Sequence, residues 1–246
     1  MKWILQNARE RFAFALKNPR YSASSLLREV TQADEKFIAK ITGTPPGRVR
    51  EYLSEPIATP RFAQVLRDAA PRFRDLKLES ADLFAKKILV QYAAVRALAP
   101  RYVVETGVAN GVSSSYLLLA LQKNGTGLLH SIGLDDAAFL PPGSQPGWLV
   151  PDWLRDRWQL HIGDARLMLP GLLAELGSVD IFIHDSLHTY EHMTWEFAAA
   201  YPFVRPGGLI FCDDALWNHS FNDFARKVNE PDAKIIRGVG FLRKAR

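Results

Sequence analysis

The chain holds a single cysteine, Cys212, in 246 residues. An intramolecular disulfide is therefore excluded, and a reducing compartment fits. No apolar run approaches the roughly 20 residues that cross a bilayer as a helix. At the N-terminus, Trp3, Ile4 and Leu5 are soon interrupted by Gln6, Asn7 and Arg9, too short an apolar stretch for a signal peptide. A cytoplasmic protein is the expectation. Internal repeats and low-complexity tracts are missing as well. What remains, 48% hydrophobic and 23% charged residues, is ordinary for a soluble globular chain.

Acidic charge is scarce at the front. Residues 1–100 carry 18 Lys/Arg against 10 Asp/Glu, a balance of +8, while residues 101–246 carry 13 against 16, a balance of −3. A basic front end suits an anionic partner, such as a membrane surface touched peripherally or a phosphorylated substrate, and equally suits a solvated helical face. Nucleic acid is disfavoured. The stretch around Ile41–Glu55, with Arg48 and Arg50, is only a faint helix-turn-helix, and a helical cap or homodimer contact accounts for it better.

The two parts also differ in period. Ile4, Ala8, Phe12 and Ala15 recur at helical spacing, Pro19 breaks the pattern, and a second helix is expected over Leu26–Thr42. Thr44 before Pro45 and Thr59 before Pro60 pair a capping side chain with a first-turn proline, which predicts helices near 46–54 and 61–69. Ser80 opens a longer helix that Pro100 closes. Residues 1–79 thus read as a helical extension or cap, and 80–246 as the main domain.

From Tyr102 short β-rich runs alternate with helices: "YVVET", "LLHSIGL", "WQLHIGD", "VDIFIHD" and "GLIFCDD", then two closing strands, "AKIIRGV" and "GFLRK". The alternation predicts an α/β fold with a doubly wound, mostly parallel sheet and an antiparallel C-terminal hairpin. In such sheets ligands bind beyond the carboxyl ends of the strands. The segment "LPPGSQPGW", 140–148, is the one long flexible loop, a lid candidate.

The stretch "IFIHDSLHTYEH" sets His184, His188 and His192 at four-residue intervals around Asp185 and Glu191. H-D-x-x-H is one carboxylate length from the zinc-hydrolase pattern, which needs both histidines on one helix face. The apolar run before His184 is instead a buried parallel strand. Its end presents Asp185, with His188 three residues on. Asp213 and Asp214 end the next strand, and neighbouring strands lie about 4.8 Å apart, so these acids can converge on one cation. An oxygen-rich set suits Mg²⁺ or a similar divalent ion better than zinc. His184 reads as a packing residue, and His192 as facing solvent or the sheet. Trp148, Trp217, Asn218 and His219 stand by position as walls of an acceptor pocket.

"VVETGVANGVSSS" ends a strand at Glu105, turns at Gly107 and Gly111, and enters a helix. Its glycine spacing is not the G-x-G-x-x-G of dinucleotide folds. It resembles the first motif of class I S-adenosylmethionine-dependent methyltransferases, E/D-x-G-x-x-x-G. "HIGDA" resembles that family's third-strand motif, "RPGGLIFCDD" its turn into the fifth strand, and "VDIFIHDSLHTYE" the D-x-x-F-I-D-G-D-H-S-Y-E pattern of metal-dependent O-methyltransferases acting on small molecules and sugars. The resemblance covers roughly residues 80–246 and implies a Rossmann-like seven-stranded sheet. It implies S-adenosylmethionine held by Glu105, Gly107, Asn110, Gly111, Ser113, Asp164 and Ala165. It also implies a divalent metal on Asp185, Asp213 and Asp214, as in catechol O-methyltransferase, and His188 as the base that deprotonates a hydroxyl on a small-molecule or sugar acceptor, with Asp185 beside it. Two positions depart from the family. Gly133 stands where an acid usually holds the ribose, leaving Asp135 or Asp136 for that task, and Leu187 replaces the second acid of D-G-D-H. Those departures leave open a non-catalytic nucleotide-binding or regulatory protein of the same fold.

Overall fold

Continuous apolar strands can be stable only if both of their faces are covered, and the chain between them supplies the cover as helices. The computed structural model describes residues 32–75, 86–135 and 140–245. The helix expected from Ile4, the break at Pro19, the helix starts at Leu26 and Ser80, and Asp136 lie outside the described residues. Five parallel strands, β1 (Tyr102–Thr106), β2 (Leu128–Gly133), β3 (Trp158–Ile162), β4 (Val179–His184) and β5 (Val204–Cys212), are joined by β6 (Lys234–Ile236) and β7 (Val239–Arg243). The sheet order is β3-β2-β1-β4-β5-β7-β6. β7 is antiparallel to both β5 and β6, so β6 runs with the parallel set and β7 is the reversed strand. The β6–β7 turn places Arg237 and Gly238 at φ 54° and 83°, the two left-handed residues that a tight hairpin turn requires.

The helices are α1 (Gln32–Thr42), α2 (Pro46–Ala58), α3 (Pro60–Asp75), α4 (Lys86–Leu98), α5 (Val112–Asn124), α6 (Ala165–Leu176), α7 (Tyr190–Ala200) and α8 (Ser220–Lys227). α2 and α3 run longer than their sequence pattern suggested. Thr44 does not cap α2. α2 starts at Pro45 with no side-chain cap, and the Thr59 hydroxyl donates 2.7 Å back to the Glu55 carbonyl. The front helices and the sheet share one apolar core: Phe37, Ile38, Val49, Leu53 and Phe62 belong to the same buried cluster as Leu117, Ile181 and Phe241. The Phe37 ring packs edge-on to Phe241 at 5.5 Å, and Phe241 to Phe211 at 5.0 Å; such pairs add about 0.5–1.5 kcal/mol each beyond area burial. Asp34 of α1 also accepts from the hairpin's Arg237 at 2.6 Å. Arg50 is engaged by both oxygens of Glu35 (3.0 and 2.8 Å), and Arg48 by Glu51 and Tyr52, so both arginines of the faint helix-turn-helix have carboxylate partners. Among the described residues no helix is long and apolar enough to cross a membrane.

The strand order runs outward in opposite directions from β1 and β4, which are parallel neighbours. Such a switch point opens a crevice at the strands' carboxyl ends.

Candidate active site

Two strand ends meet closely at that crevice. The Asp185 amide donates to the Thr106 carbonyl at 2.8 Å. Gly107 follows β1 with φ 90°, and a Cβ there would stand 1.9 Å from the Asp185 carbonyl oxygen. Only glycine allows the turn after β1 and the turn after β4 to pass so near each other.

The residues of the first motif lie on the β1–α5 turn, several facing inward. Glu105 is fully buried, and its carboxylate accepts from Ser113 (2.7 Å), Ser114 (2.6 Å) and Ser131 (2.8 Å). Burial pushes its carboxyl up, against the pull of the three hydroxyls. Asn110 is also buried and accepts from the Trp148 indole at 2.6 Å. Gly111 starts α5, and its carbonyl accepts from the Ser115 amide at 2.9 Å. The expected flexible loop is anchored here. Gly147 donates to the Ala109 carbonyl (2.8 Å) and Leu149 to that of Asn110 (3.2 Å), while Leu149 and Val150 are buried. Trp148 is therefore tied to the glycine turn.

Past β2, Gly133 has Val108 above it. A Cβ at position 133 would stand 2.9 Å from Val108 Cβ, so the space of an acidic side chain is already taken by a buried valine. Gly133→Asp is expected to lower unfolding free energy by about 1–3 kcal/mol, the range for overpacking. In urea denaturation, adding Val108→Ala removes the Cγ2 clash but keeps the 2.9 Å approach to Cβ, so it should recover only part of that loss; no recovery would put the strain elsewhere. Leu134 and Ile162, at the ends of β2 and β3, are 60% and 48% exposed. Asp135 is exposed beside Leu134. Asp164 caps α6 by accepting from the Arg166 amide at 2.7 Å, and Ala165 begins that helix.

The ends of β4 and β5 are linked by the Asp213 amide donating 2.8 Å to the His184 carbonyl; of the three predicted acids Asp185 and Asp213 come together, with His188 rather than Asp214 as the third member. One ligand atom each of Asp185, His188 and Asp213 lie within 4.8 Å of one another. His188 Nε2 stands 3.7 Å from Asp185 Oδ1, and its ring packs against Trp217 at 5.0 Å and edge-on to His184 at 5.1 Å. Asn218 donates to the His188 carbonyl at 3.3 Å, so these two of the four guessed wall residues do adjoin His188. Asp214 follows with φ 48°.

Two residues at this site carry no signal in the sequence pattern. Lys87 of α4 sets its ammonium 2.6 Å from Asp213 Oδ2 and 4.0 Å from Asp214 Oδ1. Burial alone would raise the Asp213 carboxyl, but Lys87 and His188 outweigh it and hold it below the usual range. Asp185 goes the other way: burial, then the charge of Asp213, push it well up against the opposing pull of Lys87. The other is Glu196 of α7, which is fully buried. It accepts from Thr106 Oγ1 (2.6 Å), His184 Nδ1 (2.6 Å), Ser186 Oγ (2.7 Å) and His192 Nε2 (2.9 Å). His192 is thus 5% exposed and points inward, so of the two orientations that the sequence allowed, solvent or the sheet, the inward one holds. Glu196 is the second acid of its helix, after Glu191, and lies four residues after His192.

Residues 104–215 match a family described as a methyltransferase domain. Demethylmacrocin O-methyltransferase of Streptomyces fradiae is 36% identical over 78 residues, 30% of this chain and 19% of that protein's length. The alignment therefore spans about a fifth of that curated relative. Among solved structures, the O-methyltransferase TomG of Streptomyces achromogenes, in complex with SAM, superposes with a TM-score of 0.55 at 19% identity, covering 74% of this chain and 90% of that one. The SAH-bound methyltransferase PaMTH1 of Podospora anserina gives 0.53 at 14%, with 74% and 88% covered. The chain thus shares the Rossmann-like fold of these methyltransferase structures, and its residues 104–215 match the methyltransferase-domain family.

Proposed function

We propose that this protein transfers a methyl group from S-adenosylmethionine to a hydroxyl of a small molecule or sugar, with a divalent ion such as Mg²⁺ at the acidic strand ends. The observation that carries the reading is the convergence of Asp185, His188 and Asp213 within 4.8 Å beside the glycine turn of β1. The name of the Streptomyces fradiae relative, an O-methyltransferase of demethylmacrocin, supports oxygen as the acceptor atom.

The residues suit the cofactor in part. Leu134 and Ile162 offer exposed apolar faces for a flat ring, and Asp164 lies beside them. The turn 107–111 and the start of α5 provide backbone N–H groups for a carboxylate. The ribose has no acid at position 133, and Asp135 is the nearest exposed carboxylate. When bound, the cofactor supplies an electrophilic methyl on sulfonium. For the ion, the oxygen-rich donor set suits Mg²⁺, and Asp213 Oδ1 is buried without a hydrogen-bond donor among the described residues. Asp185, Asp213 and Asp214 are the residues that would hold it, with His188 at their edge, and its charge would make an acceptor hydroxyl more acidic. His188 then takes the hydroxyl proton on its ring nitrogen, Trp217 fixes that ring, and positioning does the rest. The helices α1–α3 would cap the acceptor or pair with a second copy. A cytoplasmic location is supported by the single cysteine, which is buried and free.

Calorimetry with S-adenosylmethionine, S-adenosylhomocysteine and NAD tests the reading. Both adenosyl ligands should bind at sub-millimolar concentration and NAD should not; binding of neither adenosyl ligand would sink it. The space taken by Val108 over Gly133 favours one second reading, a binder that no longer turns over. Tight binding with no methyl release on any hydroxyl acceptor is the result that reading expects.

A further inference from the structure

Three carboxylates gathered at two strand ends repel unless a cation sits among them. In this fold one is already there. The Lys87 ammonium stands 2.6 Å from Asp213 and 4.0 Å from Asp214, and its charge also acts on Asp185. It comes from α4, 126 residues away in sequence from its partner. We propose that Lys87 is a built-in cation of this acidic seat and that a divalent ion enters only by displacing its ammonium from Asp213. The proposal rests on the reading of these acids as ion ligands.

The physical case has three parts. First, Lys87 contacts two of the three carboxylates that would hold the ion, so the ammonium and the ion claim the same oxygens. Second, both are strongly hydrated point charges with no acceptor to share, and at such separations they repel. Third, withdrawal is open to Lys87. Its side chain is 33% exposed while that of Asp213 is 9% exposed, so a flexible four-carbon stem can swing the charge into water and leave the carboxylate behind. The cluster would then stay charge-compensated whether or not an ion is present.

Mn²⁺ titration of the cofactor-free full chain, with free Mn²⁺ read by electron paramagnetic resonance, tests this without turnover. Lys87→Met keeps the stem and removes the charge; it should bind Mn²⁺ at least tenfold more tightly than the wild type, while Lys87→Arg should stay as weak as the wild type. Equal affinity in wild type and Lys87→Met overturns the exchange and leaves the metal reading standing. No binding to any of the three overturns both. Should Lys87→Met fail to fold, wild-type crystals soaked in Mn²⁺ decide the matter: an anomalous peak at Asp185 and Asp213 with the ammonium withdrawn is expected, and an ion bound with Lys87 still on Asp213 overturns the proposal.

Discussion

Glu196→Leu is expected to lower the unfolding free energy by about 3–5 kcal/mol, the range for removing one partner of a buried charged network. The carboxylate is fully buried and accepts four hydrogen bonds, from Thr106, His184, Ser186 and His192. Leucine fills the volume and accepts none, so all four donors lose that bond: Thr106 keeps a 3.4 Å contact to the Ile183 carbonyl, Ser186 and His192 keep each other at 3.1 Å, and the buried His184 Nδ1 loses its acceptor. Glu196→Gln keeps one oxygen acceptor and should lose less. The acid limb carries a second signature. Burial would raise the Glu196 carboxyl, yet His184 and the remaining donors overcome this and hold it far below its ordinary value of 4.5. A depressed folded value contributes stability that is fully present above the unfolded value, near pH 4.5, and is lost as pH falls below it. Urea denaturation between pH 7 and pH 3 should therefore show wild-type stability falling on the acid side, and a flatter profile in Glu196→Leu. A variant within about 1 kcal/mol of wild type would mean that the network contributes nothing net.

The place of that network separates what the sequence discloses from what it does not. Strand and helix order was legible because it is local: apolar runs of a few residues, broken by glycine and proline, fix which segments pair and which cover. The strand ends were legible for the same reason, since His184-Asp185 and Cys212-Asp213-Asp214 each terminate an apolar run, and parallel neighbours put their ends side by side. Partners of individual side chains were not. Glu105 reads as a ligand-facing acid of its motif, yet its oxygens meet Ser113 and Ser114 in the first turn of α5 and Ser131 from the neighbouring strand. Nothing in "FAKKILV" connects Lys87 to a carboxylate at position 213. Gly133 reads as a missing acid, whereas the valine that fills its place comes from a different turn. The loop 140–148 has the composition of a flap, but Gly147 and the following Leu149 are paired to the glycine turn, a contact no periodicity encodes. Such facts depend on tertiary placement, which pattern reading constrains only at the level of faces and ends.

His188→Ala is expected to lower turnover about 10²- to 10⁴-fold at neutral pH, the usual contribution of a positioned proton acceptor. Its imidazole lies 3.7 Å from Asp185, is held between Trp217 and His184, and is 12% exposed on its side chain. Those contacts fix the ring at the edge of the acidic seat rather than at the glycine turn, so affinity for S-adenosylhomocysteine should change little. The pH profile tells a base from a packing residue. With the imidazole gone, the acceptor hydroxyl must ionise unaided, so the logarithm of turnover should climb steadily with pH and the deficit against wild type should shrink toward the alkaline end. Added imidazole should restore part of the rate at neutral pH. A loss of the same size at every pH, without rescue, would assign His188 a different task. Because its ring nitrogen belongs to the same 4.8 Å cluster as Asp185 and Asp213, that task is readable in the same variant: Mn²⁺ affinity falling in step with turnover would make His188 an ion ligand, and unchanged affinity with a pH-dependent deficit keeps it as the base.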